Sequence, residues 1–248
     1  VAVTGVQTCA LPICSIVSDV PGTTRESISE HVTFYQEDIQ ITDTPGIRKK
    51  KSVKEPLESL MVKSSLHALE NADIVLLLVD ANEGQLCDQE LKLAFYAFTD
   101  LYKGLIIVFN KWDLVDDQKR AQLDYQLKPY EHIMKKIERI DISCKTGKNI
   151  GKIMPLVQEV YERYTSNLSA HELTVICKDG LDRRPLYHKT QVLKLFRVRQ
   201  VATRPITLIM IVNQPQWFGA SQLTFFENII RTRYKLKGVP VKFIPRTS

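Results

Sequence analysis

Leu105-Ile106-Ile107-Val108-Phe109-Asn110-Lys111-Trp112-Asp113 carries five apolar residues straight into a polar tetrapeptide. An apolar run of that length, bounded by polar residues, fits a strand buried on both faces, as in a parallel sheet covered by helices. Asp73-Ile74-Val75-Leu76-Leu77-Leu78-Val79-Asp80 has the same character one element earlier. Further out, Val32 to Thr42 alternates apolar and polar residues twice and reads as two short strands, with another strand at Arg139 to Ile142. Glu55 to Asn71, Leu86 to Phe98 and Ile150 to Tyr164 place apolar residues at helical spacing. Val115 to Lys136 is polar and mixed, and no element is assigned to it. Such strand–helix alternation predicts a parallel α/β sheet with ligands at the C-terminal ends of its strands.

The chemistry sits at those ends. In Asn110-Lys111-Trp112-Asp113 the Asp113 carboxylate accepts from both the ring N–H and the exocyclic amine of guanine, a donor pair that adenine lacks. A wrong base leaves that acceptor unpaired, at a cost of about 1–3 kcal/mol. Asn110 is expected to tie neighbouring loops together, the stem of Lys111 to cover the base, and Trp112 to complete the stretch. Ser143-Cys144-Lys145 closes a third strand and would set backbone N–H groups against the guanine O6. Asp43-Thr44-Pro45-Gly46 puts a carboxylate where magnesium is held and a backbone N–H where a γ-phosphate sits. Taken alone, it is equally a Pro-Gly turn after a strand. Ahead of it, Pro21-Gly22-Thr23-Thr24-Arg25 offers the Thr24 hydroxyl to the same magnesium. Ile47, an aliphatic residue, stands where Ras-type enzymes carry a water-orienting Gln; Thr24, Gly46 and Ile47 are the expected catalytic residues. Thr24 to Asp43 is 19 residues, Asp43 to Asn110 is 67 and Asn110 to Ser143 is 33, and this order carries more weight than any one motif.

The phosphate loop Gly-x-x-x-x-Gly-Lys-[Ser/Thr] that opens such a domain occurs nowhere. Val1 to Val3 pass for a first strand, but Ala10-Leu11-Pro12 occupies the Gly-Lys-[Ser/Thr] positions, and Pro12 falls where a helix would begin. Gly147-Lys148-Asn149-Ile150-Gly151-Lys152-Ile153 is one residue too short and lacks the hydroxyl. Val3 to Ile13 matches the in-frame translation of a sequencing-library adapter, so residues 1–14 are expected to be artefactual. Lacking the lysine and hydroxyl of that loop, the chain as written is expected to bind and hydrolyse GTP poorly.

After about Thr165 the pattern changes. Ser169 to Asp179 reads as a helix, Leu193 to Val198 and Ile206 to Val212 as strands, Ser221 to Lys235 as a helix and Val239 to Ile244 as a strand. From Thr165 to Ser248 there are 14 Lys and Arg against 4 Asp and Glu, so a mildly acidic body carries a basic module suited to an anionic partner. Arg183, Arg184, Lys194, Arg197, Arg199 and Arg204 are the candidate phosphate contacts. No Gly-x-x-Gly loop follows Thr165, which argues against sequence-specific RNA reading. Trp217 and Phe218 either stack on a base or belong to the core or a domain contact. Five cysteines without a C-x-x-C fit reduced thiols and argue against zinc. The longest apolar run, Ile74 to Val79, is far short of a membrane span, and no signal peptide is read.

Thr23-Thr24-Arg25, Asp43 to Lys50, Ala72-Asp73-Ile74-Val75 and Asn110 to Leu114 together resemble the second GTPase domain of the Der (EngA) family. Ala202-Thr203-Arg204-Pro205, Val212-Asn213 and Gly238 to Lys242 resemble that family's KH-like domain. The resemblance implies an α/β fold: a P-loop-NTPase-type (Ras-like) G domain, here lacking its P-loop, followed by a small α+β KH-like domain. The expected bounds are 15–166 and 167–248. It further implies a cytoplasmic, monomeric GTP hydrolase of ribosome biogenesis that uses GTP/GDP and Mg. Its partners would be the large ribosomal subunit and rRNA, without a membrane or DNA role. Potassium (K) stimulates some members through the loop that here spans Asp19 to Thr24. Arg48 to Lys51 would lie in switch II, as a solvated loop or a partner contact. Two other readings stand beside this one. The first is a non-catalytic RNA- or ribosome-binding protein with a degenerate G domain, and the second a GTPase of tRNA modification or membrane insertion.

Overall fold

The computed structural model describes residues 2–4, 28–34, 37–43 and 66–247. The chain divides into two compact units, Val1–Tyr161 and Glu162–Ser248.

The first unit is built on a six-stranded sheet in the order β2-β3-β1-β4-β5-β6. Its strands are β1 (Ala2–Thr4), β2 (Ile28–Phe34), β3 (Glu37–Asp43), β4 (Ile74–Asp80), β5 (Gly104–Asn110) and β6 (Glu138–Asp141). β1 runs parallel to β3 and β4, β4 to β5 and β5 to β6, while β2 pairs antiparallel with β3. The parallel set therefore delivers Asp43, Asp80, Asn110 and Asp141 to one edge of the sheet. β4 and β5 are buried on both faces, as their unbroken apolar runs predict. Val75, Leu77, Val79, Leu105, Ile107 and Phe109 form one cluster with Leu91, Ala94, Phe98 and Leu123.

Helix α1 is described over residues 66–71. α2 (Asp88–Phe95) continues through a single π turn, Tyr96–Asp100. It is started by Glu90, whose carboxylate accepts from Cys87 N at 2.8 Å. The stretch 115–136, which shows no element in its sequence pattern, contains α3 (Asp117–Leu127) and the short α4 (Glu131–Met134). α3 leaves so little pattern because only Leu123 and Leu127 are buried on it. The Asp116 carboxylate starts it by accepting from Lys119 N at 2.8 Å. Gln126 of α3 grips both backbone groups of Leu86, accepting from its N–H at 2.7 Å and donating to its C=O at 2.6 Å. α5 (Ile153–Tyr164) buries Ile153, Val157 and Val160.

The second unit has a three-stranded sheet, β11-β10-β9, and a two-stranded hairpin of β7 (Tyr187–His188) and β8 (Gln191–Val192). α6 (Ala170–Arg183) and α7 (Ala220–Arg233) pack on each other, and α6 lies against β9. The hairpin is absent from the sequence reading, because two-residue strands leave no periodic signal. β9 spans Leu195–Thr203, two residues later in its start and five later in its end than the sequence pattern indicates. β10 (Ile206–Val212) keeps the expected limits, and β11 spans Val241–Arg246. At the outer edge of β9 the Thr174 hydroxyl accepts from Val198 N at 3.0 Å. Its proton is shared between Val198 O at 3.1 Å and Ala170 O at 2.7 Å. A helix side chain thus satisfies strand groups that would otherwise template another strand. Arg231 pins the chain after α7, donating to Leu236 O at 2.5 Å and Val239 O at 2.7 Å while paired with Glu227 at 2.8 Å.

Candidate guanine-base site

The register of β4 on β5 sets Asp80 beside Asn110, and each strand hands its next residues to the same edge. Asn110 is buried, and its Oδ1 accepts from Cys144 N at 3.3 Å, tying the loop after β5 to the loop after β6. Lys111 adopts a left-handed backbone (φ 59°) and opens the turn Trp112–Leu114. Trp112 N donates to Ile142 O at 3.0 Å and Ile142 N to Phe109 O at 2.8 Å, which continues the β5–β6 pairing beyond the strands. The Trp112 ring meets Phe109 edge-on at 6.4 Å, and the Arg139 guanidinium lies 4.4 Å from the Phe109 centroid and 5.5 Å from that of Trp112. Arg139 is held in turn by Asp141 at 3.1 Å and Asp124 at 3.5 Å.

Asp113 is exposed and Ser143 is fully buried. The Ser143 hydroxyl donates to Asp113 Oδ1 at 2.5 Å and accepts from Thr146 N at 3.1 Å. That donated bond holds the Asp113 carboxyl below the usual carboxylate range, with smaller pulls from Lys145 and Lys111. The result is an ionised acceptor of fixed direction, beside a loop whose other anchors are Ser143 N to Lys148 O at 3.1 Å and Asn149 Nδ2 to Asp141 O at 2.9 Å. Lys145 is exposed on that loop. Cys87 and Cys177 are free.

The sequence-assigned residues thus fall into three sets. Asn110, Lys111, Trp112, Asp113, Ser143, Cys144 and Lys145 come together across two adjoining loops. Asp43 ends β3 on the same sheet edge, half-buried. Thr24, Thr44, Pro45, Gly46 and Ile47 lie outside the described residues, as do Asp19 to Arg25 and Arg48 to Lys51. Sequence reasoning missed Asp80 and Arg139, whose partners are distant in the chain. An acid at a strand end and an arginine opening a strand carried no signal of their own.

In the second unit Arg183, Arg184, Lys194, Arg197, Arg199 and Arg204 are all exposed. Arg197 and Arg199 share β9, Lys194 precedes it and Arg204 follows it, while Arg183 and Arg184 end α6. Phe218 is buried and stacks on Phe226 at 6.0 Å, so it belongs to the core. Trp217 is half-buried and stacks on His188 at 5.2 Å.

This sheet order, with Asp113 after β5 held by Ser143 after β6, defines a G domain of the P-loop-NTPase class followed by a small α+β unit. Residues 9–111 match the family of 50S ribosome-binding GTPases, and residues 167–246 match the C-terminal KH-domain-like family of EngA bacterial GTPase enzymes. The chain belongs to the Der (EngA) family of GTPases. It is 36% identical over 233 residues to GTPase Der of Caldanaerobacter subterraneus subsp. tengcongensis, covering 91% of this chain and 52% of the relative. Against GTPase Der of Clostridium botulinum (strain Langeland) it is 35% identical over 230 residues, covering 92% and 52%. The chain therefore spans about half the length of these relatives. Among solved structures, Era in complex with MgGDPNP and nucleotides 1506–1542 of 16S ribosomal RNA aligns at a TM-score of 0.52 and 20% identity. That alignment covers 98% of this chain and 90% of Era. A point variant of Aquifex aeolicus Era bound to GDP·AlF4⁻ aligns at 0.51 and 20%, covering 99% and 91%. At that identity these two show the fold alone.

Proposed function

We propose that the first unit reads guanine and that the protein is a GTP hydrolase of ribosome assembly, acting on the large subunit through rRNA contacts of its basic second unit. The observation that carries this reading is the Ser143–Asp113 bond beside the Asn110–Cys144 bond, an ionised acceptor and its frame at adjoining strand ends. Asp43 supplies a carboxylate for Mg²⁺, with Thr24 as its partner. A magnesium ion bound mainly through nucleotide phosphates needs no protein cage. GTP would bring phosphates to that edge, where Thr24, Gly46 and Ile47 act, and K⁺ would be held at the loop of Asp19 to Thr24. The domains are assigned as 15–166 and 167–248, and residues 1–14 as foreign to the native gene, which a long DNA read across the Cys14 codon tests. The localisation is cytoplasmic and the state monomeric. Among the described residues no helix is long and apolar enough to cross a membrane.

The absent phosphate loop favours a second reading, a non-catalytic ribosome- or RNA-binding protein on a G-domain scaffold. Asp43, Asn110 and Asp113 speak against it, since a scaffold needs none of them. The test is a titration of the whole chain with mant-GDP and mant-ADP into the millimolar range, alongside GTP turnover. Preference for the guanine nucleotide, abolished by Asp113→Ala, supports the guanine-site reading, and equal binding of both nucleotides removes it. Micromolar GTP affinity would overturn the expected impairment. The Era relative is itself in complex with an rRNA segment. For this chain, salt-dependent RNA binding weakened by Arg197→Glu and Arg199→Glu is the matching expectation.

A further inference from the structure

Lys111 is anchored at both ends. Its backbone is fixed by the left-handed φ and by Leu114 N, which donates to Lys111 O at 2.9 Å. Its Nζ donates to Asp80 Oδ2 at 2.7 Å across 31 positions of sequence. Asp80 cannot follow the lysine, because its Oδ1 accepts from Asn82 N at 3.1 Å and starts the turn Ala81–Glu83. Asn82 is held in turn by Lys119, whose Nζ donates to Asn82 Oδ1 at 2.7 Å and to Leu114 O at 3.1 Å. The contacts close a circuit from Asp80 through Lys111, Leu114, Lys119 and Asn82 back to Asp80. The Asp80 side chain is 13% exposed and that of Lys111 36%. The carboxylate is mostly withdrawn from water, so its desolvation offsets much of the attraction, and the pair by itself is weak evidence of fold stability. What it does accomplish is to remove the rotamer freedom of a four-carbon stem beside the base acceptor Asp113.

We infer that Asp80 is a positioning residue for the guanine site: it holds the Lys111 ammonium so that the lysine stem stands as a fixed wall of the base pocket. The inference rests on the guanine reading above and extends that site beyond its tetrapeptide, to a carboxylate on the neighbouring strand. A free lysine would have to be ordered when the base arrives, and Asp80 places that ordering in the fold instead.

Asp80→Asn separates the roles, because the amide oxygen still accepts from Asn82 N while the charge facing Lys111 is gone. In the whole chain, mant-GDP affinity is expected to fall about tenfold in Asp80→Asn, the size of one charge-assisted contact and its ordering. The thermal midpoint is expected to fall by about a few degrees, since the Asp80 carboxylate is mostly withdrawn from water, so the Lys111→Met background, and not the midpoint, separates positioning from stability. In a Lys111→Met background the same change is expected to have no further effect on affinity, which a merely structural aspartate would not produce. Unchanged affinity in Asp80→Asn, or an equal loss in both backgrounds, overturns the proposal. Should the unaltered chain show no guanine preference, the base reading falls, and acylation of Lys111 read by mass spectrometry still decides the positioning. Lys111 slower to react than exposed Lys152 in the unaltered chain, and matching it in Asp80→Asn, upholds the anchor. Equal reactivity of Lys111 in both proteins refutes it.

Discussion

At position 143 a hydroxyl fully withdrawn from solvent donates to Asp113 and accepts from Thr146, so one small side chain sets both the charge and the direction of the Asp113 carboxylate, the proposed base acceptor. Because the Asp113 carboxyl is held low by that bond, it stays ionised above the ordinary carboxylate range and down below it. On the proposed guanine reading, preference is therefore expected to persist as pH falls toward 4 and to be lost only as pH passes through the lowered value. Ser143→Ala removes the donor, so the Asp113 titration moves up toward the usual value of about 3.9 and the acid loss of mant-GDP binding moves with it. A carboxyl NMR titration and affinities between pH 3 and 6 check this, with a fall of about tenfold or less expected at pH 7. Identical titrations in the two proteins would show that Ser143 is only a loop residue. The sequence displayed Asn110, Lys111 and Asp113 because their types and order are informative by themselves. It concealed Asp80 and Arg139 because a lone charge at a strand end has many ordinary uses.

Elements are held by side chains that close what the backbone leaves open. Thr174 of α6 satisfies Val198 on the outer edge of β9. Thr174→Val keeps the shape and leaves that N–H and C=O without their hydroxyl, a loss of about 1–3 kcal/mol. Urea unfolding checks the magnitude, and faster amide exchange at Val198 locates it. Gly180 of α6 faces Ile229 of α7 so closely that an added Cβ would collide with the isoleucine Cδ1. In Gly180→Ala the terminal methyl moves aside and helix propensity compensates, whereas Gly180→Leu has no such escape and is expected to cost about 1–3 kcal/mol. A lower urea midpoint in the leucine variant and a near-neutral alanine variant are the paired outcomes. Strands β4 and β5 were legible because burial on both faces writes an unbroken apolar run. α3 was not, because a helix burying two leucines and started by one capping aspartate has almost no apolar period to read.

Over the whole chain, charge and ionisation are unevenly distributed: the basic excess lies after Thr165, and so does the largest upward shift of a partly accessible group. Tyr234 donates to Glu172 Oε2 at 2.7 Å, and Arg233 pairs with Glu172 Oε1 at 3.1 Å, tying the end of α7 to the start of α6. Burial and then the Glu172 bond push the Tyr234 phenol up to about 12. The folded value exceeds the unfolded one near 10, so this contribution is complete below about pH 10 and is lost as pH rises toward 12. Glu172 is shifted the other way by Tyr234 and then Arg233, and its contribution fades as pH falls through its lowered value. Urea midpoints of the unaltered chain and Tyr234→Phe, taken from pH 8 to 12, should differ at pH 8 and converge near 12. Curves that stay parallel would remove Tyr234 from the alkaline response. What the sequence alone determined was the parallel α/β class, the Asn110–Asp113 tetrapeptide at a strand end and the basic second module, because these are written in local pattern and composition. Only the tertiary structure decided that Asp80 holds Lys111, that Arg139 lies over Phe109 and Trp112, and that Thr174 closes β9. Each of those pairs joins residues 24 or more positions apart, and strand register and helix packing, which no local window contains, bring them into contact.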